Sequence, residues 1–324
     1  VDGLFLGHSV MRLAHDSSSG LVNSARYLFS GSFGAINESL TYNSFGEVTD
    51  SRVTRELTGQ EYHAYHLTRD NAGRITAKSE TQSGFSTAFA YSYDTSGRLV
   101  SASRNGNPTI YSYDENGNRL SRNRNGNLTS YAYNAEDQLL SAGIFTYSYN
   151  ANGERISKTN SVTGQSIQYR YDSFGNLTGV DLPNGTSIDY VLDGLHRRVG
   201  KKINGVLKEG FIYLDSLRVA ARFSVGTTPS LVQVFGYPNK GNVPETFFDN
   251  ESEISYRVVT DERGTPRMVI NGETGSIDET LITDEFGQVL NDSRPGFFPF
   301  KFAGCLYDED SRLCHFGARE YDPE

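Results

Sequence analysis

The ten residues SYDENGNRLS, at positions 112–121, place a polar turn between an aromatic stretch and an Arg-Leu pair. Closely similar stretches recur as SYDTSGRLVS at 92–101 and SYNANGERIS at 148–157. The shared pattern is Tyr-x-Tyr, then Asp or Asn, then Gly three residues later and an aliphatic residue soon after. The Asp or Asn recurs every 16 to 24 residues, at Asp70, Asp94, Asp114, Asn134, Asn150, Asp172 and Asp193. A period near twenty residues is typical of proteins built from stacked structural repeats.

Each copy of the pattern predicts a β-hairpin. The two tyrosines alternate, so their rings leave the same face of a strand. The Asp or Asn side chain can bond the backbone two residues on, which starts a turn, and the Gly supplies the positive φ that closes it. No stretch has a sustained 3.6-residue apolar period. We therefore predict an all-β fold, a spiral array of β-hairpins forming a shell or part of one, with almost no helix.

The repeated spacing between the Asp or Asn and the Gly predicts the conformation of specific turn residues. Four repeated glycines are expected at positive φ, namely Gly97, Gly117, Gly153 and Gly175. Asp137 and His196 stand where two copies would have Gly. Weaker copies begin at Asn43, Asp261 and Asp284. The repeated Asp residues lack the ligand spacing and later Glu of a calcium loop, so we interpret them as turn formers.

The composition and charge of the chain argue against several classes of function. The 324 residues are 36% hydrophobic with a net charge of −9 and no Trp. No basic stripe is present, which argues against a nucleic-acid partner. No apolar run approaches the roughly 20 residues of a membrane span, and no signal peptide is visible. Both ends are expected to be cut from a longer product, and no cofactor or metal is expected.

Two cysteines, Cys305 and Cys314, lie nine residues apart. A hairpin between them could bring them face to face. Two cysteines in a chain of this length do not make a disulfide framework, so we expect free thiols.

The C-terminal part carries more specific motifs. It reads YRVVTDERGTPRMVINGETGSI at 256–277, DEFGQVL at 284–290 and PFKFAGCLYDEDSRLCHFGAREYDPE at 299–324. With the repeats, these stretches resemble the YD-repeat or Rhs family, which includes bacterial Rhs toxins, Tc-toxin shells and the β-shell of teneurins. The resemblance covers about residues 40–324. It implies a hollow shell that, in toxins, encloses a covalently linked C-terminal effector domain, and a secreted, cell-surface or exported protein.

The resemblance suggests three parts. Residues 1–40 would lead into the shell, residues 41–210 would form the hairpin array, and residues 211–324 would hold atypical strands and an Rhs-associated core that closes the spiral. Within the last part, we expect the stretch FIYLDSLRVAARFSVGTTPSLVQVFGYP to lose the repeat. It predicts two or three longer strands, followed by a loop at Pro238 to Pro244.

A phenylalanine-rich stretch near the end predicts the closure itself. Phe298, Phe300 and Phe302 alternate in GFFPFKFAG, so an extended strand would point all three rings to one side. Burying each ring is worth about 1.5–3 kcal/mol. We expect this strand to pack inward, with Cys305, Tyr307 and Phe316 nearby.

The resemblance also implies a half-site for autoproteolysis. Arg319 and Asp322 in REYDP match the first half of the family's motif, and the second half, with another Asp, is absent from the sequence. Aspartyl chemistry needs two carboxylates that share a proton. We therefore expect these two residues to be inactive here, tying the end of the chain to the inner wall through an ion pair.

An enzymatic alternative rests on the stretch YHAYHL at 62–67. His63 and His66 would face opposite sides of a strand and could not share a metal. Tyr62 and His66 would share a face and, with Arg69, could serve a polysaccharide lyase as acid and base. Three hypotheses thus stand: a structural shell fragment of a toxin or surface protein, a lyase acting on acidic glycans, and a carbohydrate- or partner-binding module with exposed Tyr faces.

Overall fold

The structure, a computed structural model, describes residues 3–6, 9–29, 34–225, 229–238 and 241–324, with side chains described from residue 10 onward. Within the loop predicted at Pro238 to Pro244, residues 239–240 lie outside the described part.

The chain forms one antiparallel sheet of 27 strands. Each strand pairs with the next one along the chain, so the sheet is a continuous meander of hairpins. The strands are β1 Gly3–Leu6, β2 Ser9–His15, β3 Val22–Phe29, β4 Ala35–Tyr42, β5 Val48–Arg55, β6 Glu61–Arg69, β7 Ile75–Gln82, β8 Phe85–Tyr93, β9 Leu99–Arg104, β10 Asn107–Tyr113, β11 Arg119–Arg124, β12 Asn127–Tyr133, β13 Leu139–Ala142, β14 Phe145–Tyr149, β15 Arg155–Asn160, β16 Ser166–Tyr171, β17 Leu177–Asp181, β18 Ser187–Leu192, β19 Arg198–Ile203, β20 Val206–Tyr213, β21 Val219–Val225, β22 Pro229–Gly236, β23 Thr246–Asp249, β24 Ile254–Thr260, β25 Pro266–Asn271, β26 Ile277–Thr283 and β27 Val289–Asp292.

A second, small sheet follows the meander. It contains β28 Leu306–Tyr307, β29 Cys314–His315 and β30 Glu320–Tyr321. A 3₁₀ turn at Phe302–Gly304 is the only helical element among the described residues. The all-β prediction is confirmed. The three-part division of the chain stays a prediction, and strands β4 and β20 run across its two boundaries.

The predicted turn chemistry is confirmed. Asp94 Oδ1 accepts hydrogen bonds from the backbone N–H groups of Ser96 and Arg98, at 3.0 and 2.9 Å. The repeated glycines have positive φ, with 82° at Gly97 and 93° at Gly117. Asp137 and His196 adopt the same left-handed conformation in the Gly position, with φ of 59° and 61°. These two copies keep the turn although they lack the residue that favours it.

Neighbouring hairpins are tied by tyrosine hydroxyls, an arrangement that we call the tyrosine ladder. The second Tyr of a repeat donates a hydrogen bond to a backbone carbonyl of the preceding hairpin, beside a β-bulge, where the regular ladder is disrupted. Eight such bonds of 2.5–3.2 Å run from Tyr42 to Val22, Tyr93 to Ile75, Tyr113 to Leu99, Tyr133 to Arg119, Tyr149 to Leu139, Tyr171 to Arg155, Tyr213 to Arg198 and Tyr237 to Val219.

The ladder corrects the prediction that the repeat is lost in the stretch that begins at Phe211. The long strands β20, β21 and β22 are present as expected. However, Tyr213 continues the tyrosine ladder, and Asp215 accepts backbone hydrogen bonds from Leu217 and Arg218 as a turn Asp does. The repeat was missed there because the Asp stands one residue late and the Gly is absent.

The sheet curves back on itself. One apolar cluster joins Tyr27 and Ile36, from β3 and β4, to Val259 and Ile270, from β24 and β25. Strands β3 and β25 are 22 places apart in strand order, which in a flat sheet would separate them by about 100 Å at about 4.8 Å per strand. Their contact therefore requires a rolled sheet.

The phenylalanine-rich stretch packs inward but not as a strand. Phe298 and Phe300 are buried in an aromatic cluster with Phe235 and Phe247. Residues 297–299 are irregular, and Phe300 makes only an isolated bridge to Leu306. The prediction of an extended strand is thus wrong, and that of inward packing is confirmed for these two rings.

The third ring of the stretch lies elsewhere. Phe302 begins the 3₁₀ turn and packs against Tyr321, with 6.0 Å between ring centroids. The turn rotates Phe302 away from the other two rings, because the alternation of an extended chain ends before it. Cys305 is buried next to this turn, whereas Phe316 is 38% exposed.

Candidate functional site

The described residues make their longest-range contacts along a seam between two parts of the chain. We call β3–β20 the wall and residues 245–324 the closing segment. Charged and phenolic side chains from the inner face of the wall meet partners in the closing segment that are 107 to 219 residues away in sequence. The pairs are Tyr27–Glu245, Glu38–Arg257, Lys78–Glu262, Glu80–Arg267, Arg124–Asp284, Arg155–Asp322, Arg198–Glu320 and Lys201–Asp308.

Glu80, on β7, is a buried carboxylate of this seam. Arg267 donates two hydrogen bonds to it, at 3.0 and 2.9 Å, and the ring of His63 lies 2.8 Å away through Nε2. The ammonium group of Lys78 is 3.5 Å from the same carboxylate. Burial alone would raise the pKa of Glu80, but His63, Arg267 and Lys78 hold that pKa far below its ordinary value. Glu80 is therefore a charged, fully paired anchor between the wall and the closing segment.

A second anchor lies near the start of the wall. The guanidinium of Arg257 donates to Glu38 at 2.5 Å and lies over the ring of Tyr27, 4.0 Å from its centroid. The Tyr27 hydroxyl donates to Glu245 at 2.5 Å. Burial raises the pKa of Tyr27 well above its ordinary value, so the phenol stays protonated and acts as a donor.

A third anchor holds the small C-terminal sheet. Lys201 donates to Asp308 at 2.6 Å, and the hydroxyl of Tyr190 donates to the same carboxylate at 2.7 Å. Although burial would raise the pKa of Asp308, Lys201 and Tyr190 keep it below the ordinary value. The first tyrosine of a worn repeat thus serves the seam, while second tyrosines serve the ladder.

The two residues of the autoproteolytic half-motif separate. Asp322 pairs with Arg155 at 2.9 Å and Lys158 at 3.1 Å, on β15. Burial would raise its pKa, but Arg155 and Lys158 hold the pKa of Asp322 below the ordinary value. Arg319 is exposed, and its side chain has no hydrogen bond or ion pair among the described residues. Of these two residues, only Asp322 makes the expected tie to the wall, and the placement predicted for Arg319 is wrong.

The three lyase candidates have separate partners. The Tyr62 hydroxyl donates to the carbonyl of Gly275 at 2.9 Å, inside the rolled sheet. His66 is exposed and bonded to Asp50 at 2.6 Å, and Arg69 donates to the carbonyl of Val48 at 2.7 Å. His66 and Arg69 line one open groove, whose lining does not include Tyr62.

A bulge in the pairing of β5 with β6 explains this separation. Val53 pairs with His63 and Thr54 with Glu61, so Tyr62 is the extra residue and leaves the alternation. The predicted opposite facing of the two histidines is confirmed, since His63 is buried and His66 is exposed. A lyase role for the three residues stays a prediction, and their described contacts do not bring them together.

Cys305 and Cys314 are both buried and carry free thiols, as expected. Burial raises the pKa of Cys305 well above that of a free thiol. Because the thiolate is the reactive form, this environment favours an inert thiol. In the described part of the chain, no group of three or more His, Cys, Asp or Glu is arranged to hold a metal ion.

A cavity of about 230 Å³ lies within the seam. It is bounded by β7–β11 of the wall and by the turns and strands of residues 261–290. Phe89 and Tyr91 form an apolar side, with near-parallel rings at 6.4 Å. Charged and polar groups from both parts of the chain form most of the rest of its lining.

Sequence reasoning missed the seam residues Lys78, Glu80 and Arg267. In β7, ITAKSETQ, Lys78 and Glu80 share one face of the strand, and Ile75 and Ala77 lie on the other. Alternation alone would bury the face of Ile75 and Ala77. No local signal therefore marks Lys78 and Glu80 as buried, and none identifies their partners.

The chain is similar in sequence to the teneurins. Residues 21–324 match the family described as Teneurin YD-shell. Teneurin-4 of Mus musculus is 28% identical over 269 residues, which are 78% of this chain and 9% of that protein. Teneurin-1 of Homo sapiens is 31% identical over 159 residues, 48% of this chain and 6% of that protein. The chain spans less than a tenth of the length of these relatives.

Two solved structures align with nearly the whole chain at low identity. The crystal structure of TcdB2-TccC3 without hypervariable C-terminal region covers 98% of this chain and 22% of its own, at 12% identity and a TM-score of 0.49. The Photorhabdus luminescens Tc holotoxin pore covers the same shares at 14% identity and a TM-score of 0.40. The part of the chain that the structure describes contains no helix long and apolar enough to cross a membrane.

Proposed function

Because the chain belongs to the teneurin YD-shell family, we propose that it serves as the part of a β-shell in which a hairpin wall is locked around its own closing segment. The observation that carries this proposal is the buried seam. Glu80 and Arg267, 187 residues apart, share two hydrogen bonds, and their side chains are 2% and 5% exposed. Such a contact stabilises closure and requires no catalytic step.

The proposal extends to cargo. The shell would enclose or present a covalently linked C-terminal effector domain of a secreted, cell-surface or exported protein, such as a bacterial toxin. Support comes from Asp322, which Arg155 and Lys158 hold on the inner side of β15. A polypeptide that continued from Glu324 would therefore start beside the inner face of the wall. The motifs of residues 256–324, which resemble those of toxin shells, point the same way.

The cargo proposal can be tested by protease access. A short peptide with a sequence-specific protease site is placed directly after Glu324 in one variant and between Asn105 and Gly106, in an exposed hairpin turn, in another. We expect slower cleavage of the peptide after Glu324, because the seam holds its start against the wall. The change Asp322→Ala should raise that rate and leave the rate in the hairpin turn unchanged. Equal rates at the two positions in the parent chain would contradict an inward start.

A further inference from the structure

The cavity in the seam contains a buried carboxylate oxygen without a hydrogen-bond partner. Asp261 is 4% exposed, and its Oδ1 accepts the turn hydrogen bonds from the N–H groups of Arg263 and Thr265. Its Oδ2 is buried and has no hydrogen bond, since the nearest cation, Arg263 Nη2, lies 3.6 Å away. Thr283 Oγ1, also in the lining, is a second buried atom without a partner.

This state is not general for the turn aspartates of the repeat. In the wall, Asp94 Oδ2 accepts from Arg98 Nε at 2.7 Å, because the residue four positions on is an arginine. At Asp261 that position is Thr265, whose side chain instead accepts a hydrogen bond from Ala303 N. Burying a polar atom without a partner is destabilising, so a group that fills the cavity and donates to Asp261 would be favoured.

The lining of the cavity also includes a cationic side chain that no carboxylate of the described residues pairs with. Most of its charges are already paired, since Arg267 binds Glu80 and Arg124 binds Asp284. Arg104, at the end of β9, has no hydrogen bond or ion pair from its side chain among the described residues, and lies 5.8 Å from the centroid of the Phe89 ring. Arg104 is therefore available to an anionic ligand.

The cavity opens toward solvent at the ends of two wall hairpins. Arg104, Asn107 and Asn125 line it and belong to the ends of two hairpins, β9–β10 and β11–β12, at the edge of the wall. Asn107 and Asn125 are exposed. A volume of about 230 Å³ is below the roughly 300–1,000 Å³ of pockets for drug-sized ligands, so the site suits one small ring.

We propose that this cavity binds a single acidic sugar residue of the hexuronate class. A sugar hydroxyl would donate to Asp261 Oδ2, the carboxylate would pair with Arg104, and the C–H face of the ring would pack against Phe89. A simple amine is disfavoured because five Lys or Arg side chains line the cavity against four Asp or Glu. The site is distinct from the open groove of His66 and Arg69, with which it shares no lining residue, and it implies binding without catalysis.

The binding experiment uses the whole chain and D-glucuronate as the probe. Saturation-transfer NMR and calorimetry should give a dissociation constant on the order of 1 mM, as the small size of the ligand sets. D-glucose, which lacks the carboxylate, and acetate, which lacks the ring, should each bind at least about tenfold more weakly. Glucose binding as tight as that of glucuronate would overturn the role of Arg104.

Two variants locate the site. Asp261→Asn keeps the turn acceptor, as Asn134 and Asn150 do in the wall, but replaces Oδ2 with a donor, and should weaken glucuronate binding at least about tenfold. Arg104→Gln should do the same. The controls are Asp172→Asn, at an exposed turn of the wall, and Arg52→Gln, on its exposed face; both should bind as the parent chain does.

The outcomes are decisive if the variants keep the parent unfolding midpoint, which is measured alongside. No binding to the parent chain at ten times the expected constant would mean that the cavity holds water only, and would overturn the proposal. Binding that persists in both Asp261→Asn and Arg104→Gln would place the sugar elsewhere and would also overturn it. A loss confined to these two variants supports it.

Discussion

The wall and the closing segment are built from the same strand–turn unit, yet they are stabilised by different interactions. Most ion pairs within the wall join residues close in sequence and remain partly in solvent, as between Arg52, 61% exposed, and Glu61. Pairs of the seam join distant residues and are buried, as between Glu80 and Arg267. Exposed pairs contribute about 0–1 kcal/mol, whereas removing one partner of a buried pair costs about 3–5 kcal/mol. Local contacts thus define the hairpins, and distant ones define their closure.

The largest difference between the two regions is expected from an aromatic truncation. Phe300→Ala removes a ring that is 4% exposed and packs at 5.1 Å from Phe235, so it should lower the free energy of unfolding by about 3–5 kcal/mol. Phe45→Ala, at a wall turn where the ring is 86% exposed, should change it by less than about 0.5 kcal/mol. Denaturant titration measures both. Equal effects would mean that the C-terminal stretch is a loose tail.

A pair of glycine substitutions gives the next difference. A Cβ at Gly272 would clash with the ring of Phe29 across the seam and with the carbonyl oxygen of Ser255 on its own side, so Gly272→Ala should cost about 1–3 kcal/mol by overpacking. A Cβ at Gly117 meets no atom within 4 Å, and only its φ of 93° opposes Ala, so Gly117→Ala should cost about 1 kcal/mol.

Thermal unfolding gives the loss of stability in each glycine variant, and hydrogen exchange separates a clash across the seam from strain in a single turn. The seam clash should also loosen β3 against β25, so hydrogen exchange in both strands should rise in Gly272→Ala. Exchange in Gly117→Ala should rise only near its own hairpin. If Gly272→Ala were as stable as the parent chain, Phe29 and Gly272 would not be in close contact.

The pH dependence of stability should come from the closing segment. Burial and the neighbouring charge of Asp292 raise the pKa of Glu279 from 4.5 to about 8. The folded chain therefore holds a proton that the unfolded chain releases between these values. The stability that depends on Glu279 is full below pH 4.5 and falls as the pH rises toward 8, by up to about 1.4 kcal/mol per pH unit.

The variant Glu279→Gln should flatten this slope between pH 5 and 8. Glu56 in the wall is the matched control, because its hydrogen bond with Arg26 lowers its pKa and it is ionised in both states over this window. Glu56→Gln should leave the slope unchanged. If Glu279→Gln keeps the parent slope in urea titrations across this range, Glu279 is not held neutral by the fold.

The smallest effect is expected in the tyrosine ladder. Tyr113→Phe removes the hydroxyl that donates to the Leu99 carbonyl at 2.8 Å and should cost about 0.5–1.5 kcal/mol. Tyr131, the first tyrosine of the next repeat, has no hydroxyl hydrogen bond among the described residues, and Tyr131→Phe should be nearly neutral. Similar costs for both, measured by denaturant titration, would remove the ladder from the account.

The contrast between local contacts in the hairpins and distant contacts in the seam also explains how much of the structure the sequence predicts. Turn residues act within a few positions of one another, so Asp94 and Gly97 could be assigned from their spacing alone. Asp137 and His196 were recognised from the period although each lacks the glycine. The shell itself was predictable from its repeats and from the C-terminal motifs.

The rest was not predictable because it depends on chain folding over long distances. The partner of Glu80 lies 187 residues away, and no local pattern identifies Arg267. The bulge that removes Tyr62 from the face of His66 depends on pairing with β5. The 3₁₀ turn that diverts Phe302 ends an alternation that the sequence continues.

The central claim is that a rolled wall is locked by buried pairs with its closing segment. In a flat sheet, β7 and β25, 18 places apart in strand order, would be separated by about 85 Å. A double-mutant cycle with Glu80→Gln, Arg267→Met and both together measures their coupling directly. The account predicts a coupling free energy of about 1–3 kcal/mol, with the double variant more stable than the two single losses imply. Additivity within about 0.5 kcal/mol would contradict the seam.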